Sequence, residues 1–477
     1  MGEDKYICFY CVGENYLKLE IERQGEVINC SYCNNKKQYG YSLSDFAERI
    51  DNAFAQHYVL SPDSPPDDWS SYLYRNSGWE PRGMPIVEAI QEAADVSELI
   101  ATDVQELLAH KHYDHEAAKD DQQNPFEEDS FYDEKDIDDV EWQDLWAGFE
   151  FTLKNNSRFF NNKNESILQA IFEGIETLNT RDRKPVVRSI GLDSNLNHLY
   201  RARVFQSEAK LEEALKYSDK QIGPPPPEFA KAGRMNAKGI SVFYGATSVH
   251  TALTEVRPPV GSKVVVAKFD ILQKLRVLDL SALNLSVADG SIFDDTYAEI
   301  LSKTAFLRSL SLRMTKVVMP DDEYFEYLVT QVIADYLGSY LKLDGIIFPS
   351  AQSKEGLNIT LFNHASKVAS VEYPAGSEVD IKLSEWDGDE EVTAYKMINW
   401  LPATEENSLS ADEFLPPIPE ERRKKQIDIR KDCLSIDLNS ILVEHIESVQ
   451  IKSESFSVER IALEKFDEEQ ERDFMNF

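Results

Sequence analysis

Four of the five cysteines fall as Cys8-x2-Cys11 and Cys30-x2-Cys33, with 18 residues between the pairs. A Cys-x2-Cys turn aims both thiolates at one point, and two such turns supply the four soft ligands that Zn2+ prefers in a closed tetrahedral site. Such a site leaves no open position for an activated water, so the metal is expected to staple a small fold rather than catalyse. The alternatives are two disulfides or free thiols, and disulfides fit poorly with a chain expected in the cytoplasm. Cys433 stands alone and reads as a small core residue. A second set of chemistry-bearing residues lies far along the chain: Tyr200-Arg201, Gly233-Arg234-Met235-Asn236, Tyr244, Glu255 and Ser350. Guanidinium groups bind phosphate oxygens through paired, charge-assisted hydrogen bonds. A carboxylate stabilises a neighbouring positive charge, and a phenol face attracts a flat cation. The plainer readings are an Arg234–Glu255 surface ion pair, Tyr244 in a strand core and Ser350 satisfying backbone. His250 reads as a partly exposed helix residue, and no Ser-His-Asp arrangement, Gly-rich phosphate loop or His-rich metal cluster competes.

The elements that must position these residues are α+β in pattern. From about Arg188, short β-like runs alternate with helices: His198–Val204, Ser241–Tyr244, Val264–Phe269, Gly345–Phe348 and Ile359–Phe362 read as strands. Pro224–Pro227 leads into the Gly233-Arg234 loop. Glu255 sits near the end of a short helix from Thr247 to Arg257, which Thr247 or Ser248 caps and Pro258-Pro259 closes. Phe325, Leu328, Val329, Val332, Ile333, Tyr336 and Leu337 form a helical core stripe that Gly338 ends. Ser350 follows a strand immediately, at a carboxyl-terminal edge where sites assemble. Nearer the front, Leu43–Phe54, Ile86–Leu108 and Trp142–Leu178 carry helical spacing, with a loop at Ser61–Pro66.

In this order, Tyr200-Arg201, Gly233-Arg234-x-Asn236, Tyr244, Glu255 within Ala252-Leu-Thr-Glu-Val256, and Phe348-Pro-Ser350 resemble the RES domain, named for its Arg, Glu and Ser. The resemblance runs from roughly Ser189 to Val371. It implies an ADP-ribosyltransferase-like fold and NAD+ as substrate, with the nicotinamide–ribose bond broken and water or phosphate as acceptor. It also implies a toxin paired with a small antitoxin or regulatory protein, and a homodimer. On this reading Glu255, Arg234 and Tyr244 are catalytic, while Arg201, Ser350 and Asn236 bind substrate. Two departures stand out: Met235 replaces the Trp common after the Arg, which bears on how a base or nicotinamide packs, and Ile271–Asp321 is longer than a minimal domain needs. Lys5-Tyr6-Ile7-Cys8, the second cysteine pair and Phe149-x7-Ser157-Arg158-Phe159-Phe160 are similar to the HEPN-associated region found before some RES domains. The Arg-then-His motif of a HEPN nuclease is missing, since Arg158 is followed by Phe, Asn and Lys residues. Two other readings stay open: a protein ADP-ribosyltransferase, and a non-catalytic zinc-bearing interaction protein.

The implied organisation is a cysteine knuckle at 1–45, a helical region at 46–187, a RES domain at 188–372 and a β-rich extension at 373–477. Within the extension, Val379–Leu383, Val392–Met397, Val443–Ile451 and Ser457–Leu463 are strand candidates, with a proline-rich connection at Pro416–Pro419. The 477 residues carry 50 Lys and Arg against 85 Asp and Glu, a net charge of −35. That charge repels polyanions and argues against nucleic-acid and anionic-membrane partners. Lys111–Glu150 alone holds 15 acidic and 3 basic residues and reads as solvated surface. The basic run Arg422–Lys425 reads as a solvated linker or helix face. No run approaches about 18 apolar residues, and the start lacks the order of a secretory signal, so a cytoplasmic location is expected.

Overall fold

The apolar alternation of Lys263–Ile271 places Val265, Ala267 and Phe269 on one side and Val264 and Val266 on the other, and all five are buried. A strand apolar on both sides belongs inside a sheet covered on both faces. The computed structural model describes residues 4–33, 35–62, 81–113, 123–156, 161–353, 355–401 and 428–461. Within them this strand is second from the edge of an eight-stranded sheet. The order across the sheet is Leu434–His445, Lys263–Ile271, His198–Phe205, Phe243–Ala246, Leu357–Leu361, Gly345–Pro349, Leu275–Asp279 and Val187–Ile190. All neighbours run antiparallel except Leu275–Asp279 against Gly345–Pro349.

One face packs Leu199, Phe243, Phe269 and Ile347 with Leu211 and Leu215 of the helix Glu208–Lys216, and the hairpin of Glu378–Asp387 and Glu390–Trp400 leans on it through Val379 and Met397. On the other, Leu278 and Ile346 meet the helices Tyr297–Thr315 and Glu323–Ser339. The helices Val140–Asn155 and Asn162–Phe172 join this second core through Trp146, Phe149, Ile171 and Phe172. They are therefore packed against the large sheet rather than against the front of the chain.

The front has its own core, shared by Ile7, Leu17, Phe46, Phe54, Ile90 and Val104. It unites the knuckle, a three-stranded sheet of Tyr6–Cys8, Lys36–Ser42 and Glu26–Asn29, with the helices Leu43–His57, Ile86–Ala94 and Glu98–Lys111. Two features differ from the helical expectation. Ile86–Leu108 breaks at Asp95, whose positive φ of 50° ends the first helix in a left-handed cap, and a second small sheet pairs Phe131–Glu134 with Tyr58–Leu60 and Met84–Pro85.

The tail also departs from expectation. The predicted strand at Val443–Ile451 is observed as Leu434–His445, and residues 446–461 hold no strand. Leu434 and Ile436 face the core beside Ile271 and Phe269, so packing against the distant strand, rather than the local alternation through Ile451, selects the segment. The sequence features at Ser157–Phe160, Pro416–Pro419 and Arg422–Lys425 lie outside the described residues. Ending the chain at residue 401 removes the edge strand and strips Lys263–Ile271 of its outer partner, leaving only His198–Phe205 beside it. An open apolar edge is an aggregation template, so this truncation should lower soluble yield several-fold and elute at high mass in size-exclusion chromatography.

Candidate active site and metal centre

The strand Tyr6–Cys8 delivers Cys8, the following turn delivers Cys11, and the turn after Glu26–Asn29 delivers Cys30 and Cys33. All four sulfurs lie within 4.8 Å of one another, with Cys8–Cys11 at 3.9 Å, Cys8–Cys33 at 3.6 Å and Cys11–Cys30 at 3.7 Å. A disulfide needs about 2.05 Å, so these are thiols. Four sulfurs at about 2.3 Å from one tetrahedral zinc stand about 3.8 Å apart, which is the spacing observed. Burial, followed by hydrogen bonds from the neighbouring thiols, pushes Cys8 up to about 11. Burial also raises Cys30, but backbone N–H groups of Tyr32, Cys8 and Cys33 outweigh it and draw that thiol down to about 7. The cluster can hold a zinc ion.

The second site is a cleft of about 340 Å3 on the sheet face that carries Tyr244. Its floor is a cross-strand row: Tyr200 stands opposite Ala246, Ala246 opposite Asn358, and Asn358 opposite Phe348. The strands His198–Phe205 and Phe243–Ala246 pair only at Tyr200 and Ala246. Arg201 fills the wedge beyond that pair, its Nη1 donating to Tyr244 O at 2.6 Å and its Nε to Ile222 O at 2.8 Å. Burial, then nearby Arg203, lowers Arg201 to about 10, still far enough above neutrality to leave it a cation.

Arg234 reaches the cleft from the loop that sequence reading placed between glycines. Gly233 and Asn236 close that loop as a bridge. A Cβ at 233 would stand 2.6 Å from the Tyr244 hydroxyl, so no larger residue fits there. The helix Glu323–Ser339 clamps the loop, Thr330 Oγ1 donating to Arg234 O at 2.6 Å and Gln331 Nε2 to Gly233 O at 2.8 Å. The guanidinium lies 5.6 Å from the Tyr327 ring and donates at 2.7 Å to both Met314 O and Lys316 O. Those carbonyls belong to the C-terminal end of the helix Tyr297–Thr315, where a helix leaves acceptors unpaired and carries partial negative charge.

Glu255 ends the helix Val249–Glu255, which Ser248 caps by accepting from Thr251 N. Its Oε1 accepts from Ser350 Oγ at 2.5 Å and from Asn358 Nδ2 at 2.8 Å. Ser350 Oγ in turn accepts from the backbone N–H groups of Gln352 and Ser353 at 3.0 and 3.1 Å. Arg201, Arg234, Tyr244 and Glu255 thus line one cleft, with Ser350 bonded to its carboxylate.

Residues 198–384 match the family model of the RES domain. The chain carries a RES domain. No curated protein matches it. Among solved structures, a chain of the crystal structure of the M. tuberculosis MbcT-MbcA toxin-antitoxin complex is similar at 14% identity, with 42% of this chain and 84% of that chain covered and a TM-score of 0.22.

Two positions of the RES domain differ in setting from the residues that line the cleft. Asn236 is buried, and its Nδ2 donates to Lys231 O, Ala237 O and Ile240 O while its Oδ1 accepts from the Tyr244 hydroxyl at 2.8 Å. Every bond recorded for its amide is internal. Met235, where the family has Trp, is 2% exposed in the core beside the helices, so the replacement does not touch the cleft wall. Sequence reading missed Asn358, Tyr327 and Arg257, which also line the cleft. Asn358 was detectable: a polar residue between Leu357 and Ile359 in the strand Leu357–Leu361 is a buried polar group in need of a partner. Nothing local marks Tyr327, a half-buried position between exposed Glu326 and half-buried Leu328 on its helix. His250 is exposed, as expected. Among the described residues no helix is long and apolar enough to cross a membrane.

For the cysteine cluster, freshly purified protein should contain about one zinc per chain by elemental analysis. Cys11→Ser should lose that metal and lower the melting temperature by several degrees, because binding free energy at such a site is folding free energy.

Proposed function

We propose that the RES domain degrades NAD+ by cleaving the bond between nicotinamide and its ribose, with water or phosphate as acceptor. One observation carries the reading: Glu255, fixed through a single oxygen by Ser350 and Asn358, shares a cleft with two guanidiniums and a phenol.

The chemistry asks for that set. The C1′–N bond breaks with its electron pair passing to the pyridinium nitrogen, so nicotinamide leaves neutral and needs no general acid. Positive charge then develops on the ribose, and a carboxylate beside it stabilises that charge and accepts from a ribose hydroxyl. Glu255 fills this role with Oε2, the oxygen its anchors leave over. The acceptor oxygen bonds to C1′ and gives its proton to solvent. Arg234 and Arg201 hold the pyrophosphate, since each carries more N–H donors than its two backbone carbonyls take up. Tyr244 presents its ring to the nicotinamide. Burial raises its phenol to about 12, so it stays neutral and keeps its bond to Asn236. Ser350 and Asn236 are positioning residues on this view, for Glu255 and Tyr244 respectively, rather than substrate ligands.

The match to the RES family further supports placement as a toxin or defence effector restrained by an antitoxin, acting where NAD+ is found, in the cytoplasm. Purified protein incubated with NAD+, with and without phosphate, should release nicotinamide together with ADP-ribose or its 1-phosphate. ADP-ribose on a protein instead would favour the transferase reading, and no turnover would favour the interaction protein. Glu255→Ala should fold and lose about 100- to 1,000-fold in kcat, the scale of one preorganised electrostatic group; unchanged turnover would remove Glu255 from the mechanism. Asn358→Ala, which frees Oε1 to rotate, should cost roughly tenfold in kcat with little change in KM, as expected for a positioning residue.

A further inference from the structure

The segment between Leu285 and the helix Tyr297–Thr315 is part of the length that exceeds a minimal RES domain. Its first residues stay with that domain, Ser286–Val287 pairing with Asn179–Thr180 and Ser286 O accepting from Arg308 at 2.6 Å, but its end reaches the front of the chain. Phe293 is 1% exposed and belongs to the front core, the cluster that also holds Ile7, Phe46, Ile50 and Phe54. Arg49, on the helix Leu43–His57, donates to Phe293 O, pairs with Asp295 at 3.3 Å, and is itself held by Glu20 at 2.9 Å. The ring of Tyr297, which opens the next helix, lies 5.7 Å from that of His57. The front of the chain therefore grips the N-terminal end of the helix Tyr297–Thr315.

The same helix is held along its length by residues that precede the RES domain. Gln143 Nε2 donates to Ser309 Oγ at 3.2 Å, its Oε1 accepts from Arg313, and Phe306 packs against Trp142 and Trp146. At its far end are the Met314 and Lys316 carbonyls that receive Arg234 at 2.7 Å. A 19-residue helix is a rigid strut of about 28 Å. Carbonyls at its end are useful acceptors only within about 0.5 Å of their bonded distance, so a pivot at the N-terminal end spoils the aim at the C-terminal one.

We infer that Phe293 is a positioning residue for Arg234, and that the front of the chain thereby builds the phosphate-holding half of the RES cleft. The inference rests on the proposed role of Arg234 in holding pyrophosphate. Loss of the plug loosens the strut, Arg234 loses its fixed carbonyls, and substrate binding weakens equally in ground and transition states. That pattern raises KM and spares kcat.

The test uses the full chain with Phe293→Ala, Phe293→Leu and, as a milder variant, Arg49→Met, each checked for folding by its thermal melt. NAD+ turnover should show KM raised about tenfold in Phe293→Ala with kcat within threefold of the parent, a smaller rise in Arg49→Met, and recovery in Phe293→Leu, which refills the plug. Amide hydrogen exchange should accelerate across residues 309–318 in Phe293→Ala and Arg49→Met and not in Phe293→Leu. Folded variants with KM and exchange both unchanged would overturn the inference. Should Phe293→Ala not fold, Arg49→Met decides by the same two readouts. Exchange is read without substrate, so a parent protein that leaves NAD+ intact refutes the proposed function while the strut is still tested.

Discussion

A carboxylate in a half-buried cleft keeps its direction only if one of its oxygens is anchored, and Glu255 is anchored through Oε1 by two neutral donors. The anchors come from the two ends of one connection. Ser350 leaves the strand Gly345–Pro349 and Asn358 lies on the antiparallel strand Leu357–Leu361, so the strand register itself sets their separation. Ser350 N donates to Gly356 O at 2.8 Å and closes the loop between them. A Cβ at Gly356 would stand 2.3 Å from Thr251 Oγ1, so only glycine lets the helix Val249–Glu255 approach closely enough for its last residue to reach both donors. Two neutral partners suit the task better than a cation would. An ion pair would offset the charge that the proposed reaction uses, whereas an amide and a hydroxyl fix the group without bringing a counter-charge to it.

Both arginines follow a related rule. Each is bonded to backbone carbonyls that secondary structure leaves unpaired: Arg201 where two strands diverge, Arg234 at a helix C-terminus. A free arginine loses up to about 2 kcal/mol of rotamer freedom when it is ordered on a ligand. Here that cost is met by folding, so less is charged against binding. The stacking of Arg234 on Tyr327 and of Arg201 near Phe243 works in the same direction. The arrangement also explains why the loop, sheet and helices of the RES domain depend on one another, since each cleft residue is aimed by an element other than its own.

How far the sequence disclosed this depends on whether a feature is local. The cysteine spacing, the alternation of Lys263–Ile271 and the stripe of Glu323–Ser339 are short-range patterns, and the structure reproduces each with boundaries shifted by a few residues, except that Phe325, expected in the stripe, is exposed on the first turn of its helix, ahead of the buried positions that begin at Val329. The ordered motif from Tyr200 to Ser350 was legible as a set, because chain order survives folding. What the motif could not disclose was the division of labour within it. Asn236 and Ser350 are polar residues in a motif, and only contacts between distant segments show their recorded bonds going to the protein itself. Tyr327 was hidden because it stands off the apolar stripe, where a partly exposed tyrosine gives no local sign of the guanidinium that a distant loop brings to its ring. The Leu434–His445 strand was misplaced for a similar reason: strand edges are chosen by the partner, and the partner lies more than 160 residues upstream.

The overall charge of −35 sets a last constraint on any anionic substrate. At physiological ionic strength exposed charges are screened beyond roughly 8 Å, so the acidic surface far from the cleft contributes a weak, diffuse repulsion. Within the cleft the balance is local: Arg201, Arg234 and Arg257 line it together with Glu255 and Glu323. Glu255 is turned toward Ser350 and Asn358, and Glu323 accepts from the Tyr327 hydroxyl at 3.0 Å. Both acids are thus directed onto neutral partners while the guanidiniums keep donors over. An acidic protein can in this way hold a concave surface whose unspent hydrogen-bonding capacity is cationic, which is what a pyrophosphate-bearing substrate requires.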